Sequence, residues 1–362
     1  MKRIACLLIA SMLLSLSLLG CQAQPQANGQ IETQSLTTDQ IIEKAKAEGE
    51  VNSVGMPDSW ANWKGTWDDL ASEYGLKHVD TDMSSAEELA KFESETTNAS
   101  ADIGDVGIAF GPLAVEKNLT IPYKTSYWDD IPDWAKDQEG HWLLGYTGTL
   151  CFMADTAKVA QAPSTWEDIK NGTYKVSIGD VLKANQAQFS VLAAAYAMGG
   201  DETNIMPGIE FFADLAKQGR LALNGPGISE MQSGEIEVAI LWDFNALNYR
   251  DQVDRARFDV KIPSDKTIIS GYATIINKYA QHPYAAMLTR EYILSDKGQS
   301  NLARGYARPI RSNAKIDPDA QTMLLPNDMY TAAVPVKDQA AWDETTKQLP
   351  QLWQENVLIH VK

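Results

Sequence analysis

Most residues in this chain that could do chemistry are carboxylates and aromatics gathered in short polar segments. Five segments stand out: Gly55–Trp63, Asp80–Ser85, Gly104–Gly107, Gly179–Asp180 with Asn185–Gln186, and Trp242–Asn245. A carboxylate beside an indole suits an organic ammonium, through ion pairing and cation–π attraction. Each segment also has a plainer reading. Asp58 and Asp82 are turn formers, Ser84 is a helix cap, and Trp60, Trp63 and Trp67 would serve as core. Catalytic patterns are thin by comparison. The four histidines, His78, His141, His282 and His360, are scattered, with no metalloprotease spacing. There is no nucleophile elbow and no phosphate loop. Cys151 sits in the apolar run Leu150–Met153 and reads as a buried, inert thiol.

The elements that must position these segments alternate helix and strand, which predicts an α/β fold. Thr37-x-x-Gln40 and Ser84-x-x-Glu87 are capping boxes that open helices. Trp63, Trp67, Leu70 and Tyr74 fall at helical spacing. Strands are expected over Val51–Val54, Lys77–Asp80, Asp102–Ile108, Trp142–Phe152, Lys175–Ile178, Ile236–Trp242 and Gly271–Ile276. Further helices are expected from Thr165, over Pro207–Lys217 and over Pro283–Leu294, with another from Ser295. Several polar segments directly follow a strand. In open α/β sheets, ligands bind beyond the carboxyl ends of strands, so their joint placement predicts a cleft.

The amino-terminal residues predict the compartment. Lys2 and Arg3 precede the apolar run Ile4–Leu19, and Leu18-Leu19-Gly20-Cys21 follows the layout of a bacterial lipobox. That is a secretory signal over residues 1–20, with Cys21 as the lipid acceptor, and one lipidated cysteine anchors a protein without spanning the bilayer. A polar stretch over residues 21–36 reads as a tether. The remaining length fits two domains. Against 31 Lys and Arg stand 48 Asp and Glu, a formal net charge of −17, which argues against nucleic acid as a partner. With Cys6 in the signal and Cys21 lipidated, Cys151 is the one cysteine left, so no internal disulfide is expected.

Taken in order, several stretches resemble the bacterial extracellular solute-binding proteins of family 1, in the branch with ferric-ion, polyamine, thiamine and phosphonate binders. They are Gly55–Trp63, Met83–Leu89, Ala101–Asp105, Gly145–Met153 with Pro163–Ile169, Val238–Asn245, and Tyr292–Gln299 running to Gly305–Arg311. The resemblance implies a two-lobed periplasmic-binding-protein fold of type II. Crossing strands near Gly145–Thr149 and Ser264–Ala273 would join the lobes, residues 37–145 with 268–325 and residues 146–267 with 326–362. It also implies hinge closure on a small solute and delivery to an ABC permease whose ATPase is a separate subunit, with no cofactor and no enzymatic activity. Family positions that face the cleft map onto Asp58, Trp60, Ser84, Ser85, Asp105, Tyr146, Asp180, Gln186, Trp242, Asp243, Asn245 and Tyr272. The carboxylates favour an amine such as a polyamine. The helix opened by Ser84 and Ser85 would welcome an anion, and a zwitterion would satisfy both. The paired adjacent tyrosines typical of ferric binders are missing, which puts iron in doubt; a phosphonate is a further alternative. Arg308 and Arg311 could serve an anion but fit surface ion pairs. A lipid-anchored hydrolase or a ligand sensor are the other classes to weigh.

Overall fold

The structure, a computed structural model, describes residues 36–361. The expected signal peptide, Cys21 and all of the expected tether but Leu36 lie outside the described residues. The first stretch runs α1 (Thr38–Glu48), β1 (Glu50–Val54), α2 (Trp63–Tyr74), β2 (Lys77–Thr81), α3 (Ser85–Ser94), β3 (Ile103–Gly107) and α4 (Phe110–Glu116). The long strand β4 (Trp142–Asp155) leads into α5 (Trp166–Asn171), β5 (Val176–Ser177), α6 (Asn185–Ala197), α7 (Met206–Lys217), β6 (Leu221–Ala222) and α8 (Ile228–Ser233). Next come β7 (Val238–Trp242), α9 (Asp243–Val253), β8 (Phe258–Lys261) and a second long strand, β9 (Thr267–Ile276). The chain ends with α10 (Pro283–Leu294), α11 (Asp296–Arg304), β10 (Arg308–Pro309), α12 (Pro318–Gln321), β11 (Ala333–Val334) and α13 (Gln339–Asn356).

The main strand order is β2-β1-β3-β9-β4-β7-β5-β6. β1 is parallel to β2 and β3, while β9 runs antiparallel to both β3 and β4. β4 is the crossing element. From Trp142 to Thr149 it pairs with β9, and from Leu150 to Ala154 it pairs with β7. One strand thus belongs to two halves of a curled sheet, and all 14 of its residues are buried. Burial on both faces explains its near-continuous apolar sequence. The register of β4 and β9 shifts between Leu144 and Tyr146. There the backbones approach so closely that a Cβ on Gly271 would lie 2.3 Å from the Tyr146 carbonyl oxygen.

Local signals hold where they are strong. Thr37 and Gln40 form the expected capping box, and Gly49 and Gly75 end α1 and α2 in the left-handed conformation. β9 is longer than expected and starts at Thr267. α6 is absent from the sequence reading because its face is apolar almost all round, so no periodicity marks it. The expected loop Trp242–Asn245 is a helix start instead, since α9 begins at Asp243 with no intervening turn.

Arg290 of α10 is fully buried. Its guanidinium donates to the carbonyls of Tyr123, Gly140, His141 and Thr274 and to Thr274 Oγ1, stapling the Tyr123–His141 connection to β9. Burial pushes its pKa down to about 9, which still leaves it charged at neutral pH. Arg311 is ion-paired with Asp130 and Asp296 but is buried, not at the surface as expected, while Arg308 forms no ion pair among the described residues and instead donates to the Leu325 carbonyl and lies over the Tyr330 ring.

Candidate functional site

A cleft of about 410 Å³ opens beyond the carboxyl ends of β1, β2 and β3. One wall carries Trp60 from the β1–α2 loop, Asp82 to Ser85 from the β2–α3 connection, Glu88 of α3 and Asp105 of β3. The facing wall is the start of α6, from Lys183 to Gln186, with Asn245 and Tyr249 of α9. Tyr272 of the crossing strand β9 also lines it. The walls come from opposite halves of the sheet, joined by β4 and β9.

Of the residues expected in a cleft, Trp60, Ser84, Ser85, Asp105, Gln186, Asn245 and Tyr272 are brought together here. Tyr146 stands one layer behind. It is fully buried, donates to Asp105 Oδ2 at 2.7 Å, accepts from Trp60 Nε1 at 2.6 Å and stacks on Tyr272. Asp58 and Asp180 are not among the lining residues. Asp58 is exposed in its loop, and Asp180 Oδ1 accepts from the Leu182 backbone N–H at 2.9 Å, a turn-forming role. Trp242 and Asp243 are not among the lining residues. Trp242 is 1 % exposed and packs on Phe189, while its backbone N–H donates to Gln186 Oε1. Asp243 is fully buried and accepts from the backbone N–H groups of Thr149 and Phe244 and from Tyr330 O–H. The reason is the abrupt β7–α9 junction, which turns Asp243 inward to hold β4 where it changes partners.

The main residues absent from the expected set are Glu88, Lys183, Asn185 and Tyr249. Lys183, Tyr249 and Glu88 carry no local sequence signal, whereas Asn185 lies in a polar segment already singled out. Glu88 turns inward because Gly55 and Gly104 leave it room. A Cβ on either would lie 2.4 Å or 2.6 Å from its carboxylate oxygens. Glu88 Oε2 then accepts the Asp105 backbone N–H at 3.1 Å.

The anion site expected on α3 is already filled by the chain itself. Glu87 Oε2 accepts from both N–H and Oγ–H of Ser84, and these bonds hold its carboxyl below the usual range. Ser85 Oγ accepts from the Gly107 N–H. The start of α6 is different. No side chain caps it, and Asn185 Nδ2 is buried without a hydrogen-bond partner. Uncapped N–H groups and the helix dipole favour negative charge.

Residues 98–333 match the family model described as bacterial extracellular solute-binding protein. The chain belongs to that family. Similar solved structures include the periplasmic binding protein AfuA from Actinobacillus pleuropneumoniae with fructose-6-phosphate bound, at TM-score 0.70 and 18% identity over 85% of this chain and 98% of that one. The Atu4243-GABA receptor matches at TM-score 0.65 and 15% identity, over 84% and 96%. The ferric binding protein from Campylobacter jejuni matches at TM-score 0.63 and 17% identity, over 84% and 98%. At these identities the likeness is one of fold, the two-lobed type II periplasmic-binding-protein fold. No curated protein matches the sequence. As a solute-binding protein of ABC transport, the chain takes a small molecule outside the cytoplasm. No helix among the described residues is long and apolar enough to cross a membrane.

For a solute-binding protein the electrostatics of the cleft are lopsided. Asp105 is 2 % exposed, and burial pushes its carboxyl up to about 8 despite the Tyr146 hydrogen bond. Glu88, 1 % exposed, is raised well above the carboxylate range by burial and then by the charge of Asp105. Asp80 behind them is also raised by burial. Asp105 Oδ1 has no hydrogen-bond partner; Trp63 Nε1 stands beside the acid and is itself unpartnered. Such a floor can receive a cation, and the facing α6 start can receive an anion.

Proposed function

We propose that this protein captures a small zwitterion by closure of its two lobes and presents it to an ABC permease driven by a separate ATPase subunit. The ammonium end lies against Asp105 and Glu88, and the anionic end lies against Asn185, Lys183 and the start of α6. One observation carries the reading: acids without a cation of their own face an uncapped helix start across one cleft. Trp60, Tyr272 and Tyr249 add aromatic surface around the ammonium. Ser84, Ser85, Gln186 and Asn245 complete the polar rim. A polyamine would leave the α6 start unfilled, and a phosphate ester would leave the acid pair without a counter-charge.

The lobes are assigned to residues 37–145 with 268–325 and residues 146–267 with 326–362, hinged on β4 and β9. Cys21 carries the lipid that keeps the protein at the membrane surface. A thermal-shift screen of the mature protein tests the ligand class, with ω-amino acids, polyamines, simple carboxylates, phosphonates and ferric complexes. A ligand at a hundred times its dissociation constant stabilises by about 2.7 kcal/mol. Zwitterions are expected to shift the transition where amines alone and acids alone do not. A polyamine that shifts it as far would overturn the zwitterion reading.

A further inference from the structure

Resting on that reading, the geometry points to a narrower substrate class: the captured cation is an ammonium bearing at least two N–H bonds, and quaternary ammonium compounds are excluded.

Glu88 and Asp105 both line the cleft and are neighbours, because Glu88 Oε2 accepts the Asp105 backbone N–H. Tyr146 O–H occupies Asp105 Oδ2. That leaves Asp105 Oδ1 as a buried acceptor without a bonded donor, with the unpartnered Trp63 N–H beside the acid. No ion pair among the described residues involves either acid. The other charged or titratable groups on the lining are Asp82, Tyr249, Tyr272 and Lys183, and Lys183 stands on the facing wall. The floor therefore pairs neither acid with a basic group and leaves one acceptor without a bonded donor.

A trimethylammonium group supplies the charge alone. Its methyl shell would hold the nitrogen away from both carboxylates and leave Asp105 Oδ1 unpaired. A buried acceptor without a donor is costly, while a charge-assisted N–H···O bond is among the stronger ones. A primary or secondary ammonium, or an amidinium, reaches both acids from one nitrogen centre. The floor is also tight around Glu88, where Gly55 and Gly104 are kept clear of its carboxyl by less than the width of a methyl group. This combination discriminates by hydrogen bonding rather than by charge, the kind of site that rejects an analogue lacking its N–H most strongly.

The experiment uses the mature protein and two matched series of probes. One holds ω-amino acids of two to six carbons, and the other holds the same acids with the nitrogen trimethylated. Affinities are read by titration calorimetry. In at least one chain length the N–H form binds, and its trimethyl partner binds about a hundredfold more weakly or not at all. A trimethyl form that binds as well as its partner overturns this inference and leaves the zwitterion reading intact. If neither series binds at any length, the zwitterion reading itself fails, and this inference with it. Glu88→Gln supplies a second arm, checked for an unchanged near-ultraviolet circular dichroism spectrum. It should weaken the N–H form by tenfold or more; unchanged affinity in a folded Glu88→Gln protein also overturns the inference.

Discussion

A methyl group built on Gly107 would stand 2.8 Å from Asn185 Nδ2 and 2.9 Å from its Cγ. The bare backbone at the end of β3 is what lets α6 come so close across the cleft. Gly107→Ala should therefore prop the lobes apart. Its φ is not in the left-handed region, so the substitution adds no backbone strain of that kind. Ligand affinity should fall by about tenfold or more, while the unfolding free energy from urea denaturation stays within about 0.5 kcal/mol of the parent. A variant that binds as tightly as the parent would show that this approach plays no part in closure.

Asn185→Asp separates binding from stability in a second way. A carboxylate in the first turn of α6 interacts well with the helix dipole, by about 0.3–1 kcal/mol. The same charge would repel a ligand anion seated there. The expected result is equal or higher thermal stability of the unliganded protein with a large loss of affinity. Retained affinity would move the anionic end of the ligand elsewhere.

Asp243 illustrates how a residue singled out for binding can be structural. Its carboxyl holds the Thr149 N–H at 2.9 Å and the Phe244 N–H at 3.0 Å, and it accepts the Tyr330 hydroxyl. Thr149 is the last residue of β4 to pair with β9. Asp243→Ala would leave two buried backbone donors and the half-buried Tyr330 hydroxyl unmatched and should cost about 3 kcal/mol of unfolding free energy. Asp243→Asn should be far milder, because the Tyr330 hydroxyl can turn to accept from the new amide. Chemical denaturation of the two variants checks this, and an alanine variant as stable as the parent would remove the structural role.

Much of this was legible in the sequence wherever a signal is local. Thr37 with Gln40, and the Pro–Ser–Thr turn before Trp166, announce helix starts within four residues, and each is capped as expected. Trp60 and Asn245 reach the cleft as their positions after strands imply, and Asp105 reaches it from within β3. Glu88 could not be found that way. Its inward turn depends on Gly55, just past the end of β1, and Gly104 of β3, brought side by side by strand pairing far apart in sequence. The anionic end was misplaced for a related reason. The pattern Ser84-x-x-Glu87 marks a capping box, but such a box fills the helix start with the chain's own carboxylate. α6 has no cap and so leaves no motif, though a missing cap is what frees its N–H groups for a ligand.

The buried acids give the protein a pH dependence whose sign can be worked out. Burial raises Asp105 from 3.8 to about 8, and Glu88 is raised as well. Between the unfolded and folded values the folded state holds the extra proton, so stability contributed by these groups is lost as pH rises through that window. His78 acts oppositely, since burial lowers it from 6.5 to about 4, but most of its effect lies below pH 6.5 and it fades within about one pH unit above that. Glu48, raised to about 7 by burial, acts in the same direction as Asp105. From pH 6.5 to 8 the unliganded protein should thus lose stability, and Asp105→Asn should flatten the slope. An ammonium ligand favours the ionised acids, so its binding should release protons and tighten over the same range. Calorimetry in buffers of different ionisation enthalpy measures the proton count directly. Zero proton release at pH 7 would mean that the ligand leaves the protonation of these acids unchanged, and the cleft would then not exchange a proton for its cation.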